Sequence, residues 1–247
     1  MEKRVIFYLK PDNINNNYID DMKIYNTFAT HIHIDIDINN YYDNYYDNLW
    51  VDLGIATEKN MTCIICITLN ENNLYDNLFY DKLCDLINNN PLIKGIDINV
   101  ENNVSLENTK KFIINFKQDY PDLLLIMSTI GYSMCVNDID TLYEDEKIWS
   151  YSLFNKSNEA KLIDYYCCNF NEANLTMDSF EDMINNGFSP EKIIMGCNSN
   201  NFEAYDNYFE LNQIKKHYPN MGGTFIKYYN DSPYKWDLNA WLCLTSK

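Results

Sequence analysis

Short apolar or alternating runs recur along the chain, separated by longer stretches whose apolar residues fall at helical spacing. That alternation predicts β-α units around a parallel sheet. The runs predict strands at Val5 to Leu9, His31 to Ile38, Cys63 to Leu69, Gly95 to Val100, Leu123 to Ser128, Ile163 to Phe170, Lys192 to Cys197 and Gly223 to Tyr228. Between them, Leu74, Leu78, Leu83, Leu86 and Ile87 share a helical face, as do Phe112, Ile113 and Phe116 before the Tyr120-Pro121 stop. Asp178 followed by Glu181 marks a further helix start, and Gly187 its C-terminal cap.

Eight strand runs suit a closed barrel, and a (β/α)8 barrel needs about 250 residues. The chain has 247, so the expected architecture is a single (β/α)8 TIM barrel, one domain over residues 1–247. Two strands depart from the continuous apolar run of a parallel strand covered on both faces. His31 to Ile38 alternates strictly, and Ile96, Ile98 and Val100 alternate with Asp97, Asn99 and Glu101. In a barrel the isoleucine face meets the helices and the polar face lines the interior, where charge is costly unless paired. An antiparallel sheet with one wet face gives the same alternation, but the long helical stretches leave no room for its hairpins.

Composition narrows the partners. Hydrophobic residues make up 46% and aromatics 15%, enough for a sizeable core, and 19 basic against 36 acidic residues leave a net charge of −17. That field repels polyphosphates, so nucleic acid is not an expected partner, whereas a neutral polysaccharide is not penalised. No run approaches the roughly 18 apolar residues of a membrane span. Residues 1 to 10 lack the apolar core of a signal peptide. The eight cysteines show no framework spacing, which fits free thiols in a reducing compartment. Cys63 and Cys66 form a C-x-x-C, yet on a strand they face opposite ways, so they read as core residues. Asparagine occurs 38 times, so the five N-x-S/T sequons do not establish secretion.

The segment Lys94-Gly95-Ile96-Asp97-Ile98-Asn99-Val100-Glu101 resembles the D-G-x-D-x-D-x-E signature on the fourth strand of glycoside hydrolase family 18, the chitinase family. Leu162 to Tyr166 with Cys167 to Asn171 resembles that family's sixth strand, and Met221 to Ile226 the glycine-glycine start of its eighth. The short, single-domain plant-type members are nearest in length. The resemblance implies that Glu101 protonates the glycosidic oxygen while the substrate's own 2-acetamido carbonyl attacks the anomeric carbon, so the enzyme supplies no nucleophile. Asp97 takes the place of the supporting carboxylate. Tyr8, Asn169, Asn171, Lys227 and Tyr228 become the candidate sugar contacts, with Tyr229 and Trp236 as further aromatic surface.

Several positions depart from the family pattern. Asn99 stands where the family has an Asp that orients the acetamido group and stabilises the oxazolinium ion. Lys94 replaces the leading Asp, Asn171 aligns with a Tyr, and Lys227 aligns with the Trp floor of the sugar subsite. The third strand, Ile67 to Asn70, lacks paired glycines. The implied function is binding, with slow hydrolysis, of chitin-like or N-acetylglucosamine-containing glycans. The alternative is a catalytically lapsed carbohydrate-binding or structural protein, in the manner of the family's seed protein narbonin. For Glu101 alone, a surface carboxylate capping the turn at Asn102 and Asn103 is the other reading.

His31 and His33 raise a third possibility, a metal-dependent hydrolase, because H-x-H on a strand can bind a divalent ion. Only His217 remains to join them, and Asp35 and Asp37 spread the set along roughly 20 Å of strand. No metal or other cofactor is therefore expected. His33 and Asp35 read instead as a polar ladder supporting Asp97.

Overall fold

The computed structural model describes residues 3–9, 27–38, 47–75, 77–101, 104–136, 150–169, 176–197, 204–227 and 236–246. Eight strands, β1 (Arg4–Leu9), β2 (His31–Asp35), β3 (Thr62–Leu69), β4 (Ile93–Val100), β5 (Leu124–Ile130), β6 (Tyr165–Asn169), β7 (Ile193–Cys197) and β8 (Gly223–Ile226), close in sequence order into a barrel. Every neighbouring pair is parallel, β8 with β1 included. The antiparallel alternative is thereby removed.

Helices fill the crossovers: α1 (Asp47–Glu58), α2 (Glu71–Tyr75), α3 (Asn77–Asn89), α4 (Leu106–Asp119), α5 (Tyr132–Cys135), α6 (Tyr151–Asn155), α7 (Met177–Asn185) and α8 (Ala204–His217), with α9 (Trp236–Thr245) after β8. Among the described residues no helix is long and apolar enough to cross a membrane.

The isoleucine faces behave as the alternation requires. Ile32, Ile34, Ile96 and Ile98 join the large cluster that also holds Leu83, Phe112, Ile113 and Phe116 from the helices. A separate cluster fills the barrel, around Ile6, Ile64, Ile126 and Ile194. These four isoleucines come from the odd-numbered strands and form one layer, the packing that fills such barrels. Alternation and register then place His33, Asp97, Cys167 and Phe225 from the even strands above them. Tyr8, Cys66, Ser128 and Gly196 form the next layer.

Some boundaries differ from expectation. β2 ends at Asp35 rather than Ile38, its last pairing with β3 being Asp35 to Cys66, although Ile36 and Ile38 stay buried. β6 begins at Tyr165, since the Asp164 carboxylate takes the Leu125 N–H at 2.7 Å. Leu78 is exposed, unlike Leu83, Leu86 and Ile87. The N-cap of α7 is Thr176, whose hydroxyl accepts from the Ser179 N–H at 3.1 Å, two residues before the expected start. Gly187 does stop that helix, with φ +90°.

Candidate active site

The row that the alternation turns inward on β4 leads from the barrel core to its C-terminal mouth. Gly95 opens it where a side chain would press into the Leu124 carbonyl of β5, which gives a packing reason for glycine there. Asp97 follows, 1% exposed, and three donors converge on its Oδ2: the Tyr8 hydroxyl at 2.5 Å, the Ser128 hydroxyl at 2.7 Å and His33 Nδ1 at 2.8 Å. Such a shell offsets the desolvation of a buried carboxylate. Its Oδ1 is buried with no partner among the described residues. Burial and the neighbouring Asp97 push the Tyr8 hydroxyl well above its ordinary range, so it stays a donor.

Asn99 is next, exposed in the pocket wall, and Glu101 sits just past β4, also exposed, tied to β3 by its N–H to the Leu69 carbonyl at 3.0 Å. Asn102 and Asn103 lie outside the described residues.

A cavity of about 390 Å³ opens above this row, lined on its floor by Tyr8, Cys66, Asp97, Ser128, Cys167 and Phe225 and nearer its mouth by Asp35, Asn99, Asn169 and Lys227. Asn169 Oδ1 is a second buried oxygen without a partner among the described residues. Burial pushes both pocket thiols, Cys66 and Cys167, well above the usual range, which favours the protonated thiol while the pocket holds no cation. Glu101 does not line the cavity; it stands beyond it, two residues along the row from Asn99.

The structure thus brings together Asp97, Asn99, Tyr8, Asn169 and Lys227 around one cavity, while Asn171, Tyr228 and Tyr229 fall outside the described residues. Trp236, expected as aromatic surface, is 4% exposed and packs on Phe7 at 5.7 Å between centroids. It opens α9, whose inner face is apolar, and is unavailable to a sugar. The ladder expectation holds for His33 but not for Asp35, which is exposed in the pocket wall. His31 is buried one layer below His33, where burial, then His33 and Arg4, push its imidazole down to about 3.

Ser128 and Cys167 were missed by reading the sequence. Both lie on inward rows, Ser128 the first polar residue after Leu123 to Met127 and Cys167 between Tyr165 and Asn169, but only register shows which strand faces Asp97.

Scans against protein-family models and against curated proteins give no match. Among solved structures, the chain is similar to a fungal endo-β-N-acetylglucosaminidase from glycosyl hydrolase family 18, with a TM-score of 0.82, 18% identity and 98% of each chain covered. It is also similar to a chitinase from Aspergillus fumigatus, with a TM-score of 0.75 and 18% identity over the whole of both chains. The catalytic domain of a family 18 chitinase from a fern, Peteris ryukyuensis, superposes with a TM-score of 0.68 at 14% identity, covering 98% of this chain and 100% of that one. The fold is therefore that of a family 18 chitinase-like barrel.

Proposed function

We propose that this chain, one domain over residues 1–247, binds N-acetylglucosamine-containing glycans at the barrel mouth and hydrolyses them slowly by substrate-assisted chemistry. The observation that carries this is the pair Asp97 and Asn99 in the cavity wall, the first a carboxylate fixed by three donors, with the exposed Glu101 two residues further along the chain. Glu101 protonates the departing glycosidic oxygen, and the substrate's acetamido oxygen attacks the anomeric carbon to give an oxazolinium ion that water opens. Asp97 Oδ1 and Asn169 Oδ1, both buried without described partners, supply acceptors for a ligand's N–H and O–H groups. Tyr8 acts through Asp97, while Asn171, Lys227 and Tyr228 complete the sugar contacts.

Asn99 explains why hydrolysis is slow. Its amide orients an acetamido group but does not offset a developing positive charge, and losing one such stabiliser lowers the rate by about 10² to 10³. Asn99 and Lys227 also favour the second reading, a lapsed site that binds glycans without turnover.

Asn99→Asp separates the two, because it adds charge at nearly constant volume. The new carboxyl stands two residues from Asp97, so like-charge coupling leaves one of the pair protonated until a positive centre forms. Hydrolysis of a chitooligosaccharide with a chromogenic leaving group should rise by about 10², and Asn171→Tyr should raise it further without simple additivity. Adding Glu101→Gln must abolish the gain. If the restored protein binds the oligosaccharide yet hydrolyses nothing above the Glu101→Gln background, the lapsed reading stands. If neither restored nor wild-type protein binds it, both readings fail.

A further inference from the structure

We infer that the pocket floor is a binding site for a divalent transition-metal ion of zinc's character, held by Asp97 and Cys167 with His33 behind them. One ligand atom from each lies within 4.8 Å of the other two, and all three residues are buried. They come from β2, β4 and β6, rigid strands that leave only side-chain rotation to complete the site. Around a tetrahedral ion bound through N, O and S, donor atoms sit about 3 to 4 Å apart, so shifts of about 1 Å close the set. One imidazole, one carboxylate and one sulfur suit a borderline-soft ion better than magnesium or calcium, which take oxygen.

The unpartnered oxygen of Asp97 is the second observation. Tyr8 and Ser128 hold Oδ2, which leaves Oδ1, buried and without a described partner, as a free donor of lone pairs. His33 is prepared on both sides. Its Nδ1 faces Asp97 Oδ2 at 2.8 Å and its Nε2 lies 3.1 Å from the Tyr165 hydroxyl, which can donate or accept. When Nδ1 binds the ion, its proton is replaced by one on Nε2 that Tyr165 accepts, the outer hydrogen bond that orients metal-bound imidazoles. Cys167 releases its thiol proton to solvent. Asp97 and Cys167 both line the cavity, so the ion has an entry path and a fourth position open to water. Of the three, Cys167 was hidden from the sequence, where Asp97 was already the carboxylate that His33 supports and where His31, Asp35 and Asp37 were weighed as the partners of His33 in a metal site.

This inference goes beyond the glycosidase reading and is measured without a glycan. Cobalt(II) added to the reduced, metal-stripped full chain should bind once per chain and give a thiolate-to-cobalt charge-transfer band in the near ultraviolet, which zinc abolishes by displacement. Cys167→Ser should lose the band, Cys66→Ser should keep it, and Tyr165→Phe should keep it while weakening binding about 10- to 100-fold. No stoichiometric binding, or a band that survives Cys167→Ser, overturns the site. Should Cys167→Ser not fold, zinc-edge absorption on wild-type protein decides: one sulfur at about 2.3 Å supports the site, and none or two overturns it. An occupied site engages Asp97, so where glycan binding is detected zinc should weaken it.

Discussion

Gly196 and Gly54 respond oppositely to the same added methyl group. At Gly196 a Cβ would run into the Phe225 ring, which covers the glycine and helps line the cavity. Phe225 is also held by Tyr8, 5.0 Å away between centroids, so it has little room to yield except into the pocket. Gly196→Ala should cost about 1 to 3 kcal/mol in urea unfolding and narrow the cavity. At Gly54, inside α1, nothing lies within 4 Å of the new atom. Gly54→Ala should therefore stabilise by about 0.5 to 1 kcal/mol. Equal effects at the two sites would mean that Phe225 does not rest on Gly196. The same scale shows what is legible in a residue: Gly95 announced itself through its signature, whereas Gly196 had no neighbour in sequence to reveal the ring above it.

Among the elements, α4 matters most to the site, because it begins five residues after Glu101 leaves the barrel. Ser105 caps it, accepting the Asn108 N–H at 3.2 Å, and satisfies one of the donors a helix start leaves open. Ser105→Ala should lower stability by about 1 kcal/mol, within a range of 0.5 to 2, read as a shift in urea midpoint at constant slope. Ser105→Thr, which keeps a hydroxyl, should recover most of it. A change in slope instead would show that more than the cap is lost. The expected strands agree with the structure to within a few residues because each is a short apolar or alternating run set between stretches of helical spacing. Edges were less legible, since a strand ends where its pairing with a neighbour ends, as β2 does at Asp35 opposite Cys66.

Across the whole molecule, the cysteines test how the two sides of the sheet are kept apart. Cys167 belongs to the barrel interior and Cys168 to the outer layer, and Cys63 and Cys66 divide in the same way. The described cysteines 63, 66, 84, 135, 167, 168 and 243 are free. Mass analysis under non-reducing conditions should count eight free thiols on the folded chain, and a stable native bridge would undo the expectation of a reducing compartment. Closure of the barrel is also what gathers the cavity, since Tyr8, Asp97, Ser128 and Cys167 come from four different strands.

Periodicity pointed to the class of fold, because helices repeat every 3.6 residues and strands every two, and eight strand-helix alternations in 247 residues suit a barrel, whose closure of β8 on β1 the tertiary structure decided. Periodicity also determined which residues of β4 share a face, since Asp97, Asn99 and Glu101 are two apart. Contacts between strands were decided by register, which is set by packing across the closed barrel. His33 on Asp97 spans 64 residues and Tyr8 on Asp97 spans 89. The first was expected as a polar ladder under Asp97, but the second came from register alone, since no local pattern joins β1 to β4. Trp236 and Asp35 were misplaced for the same reason: the sequence shows that a residue is aromatic or acidic, while the tertiary structure decides whether it faces the core, the cavity or the solvent.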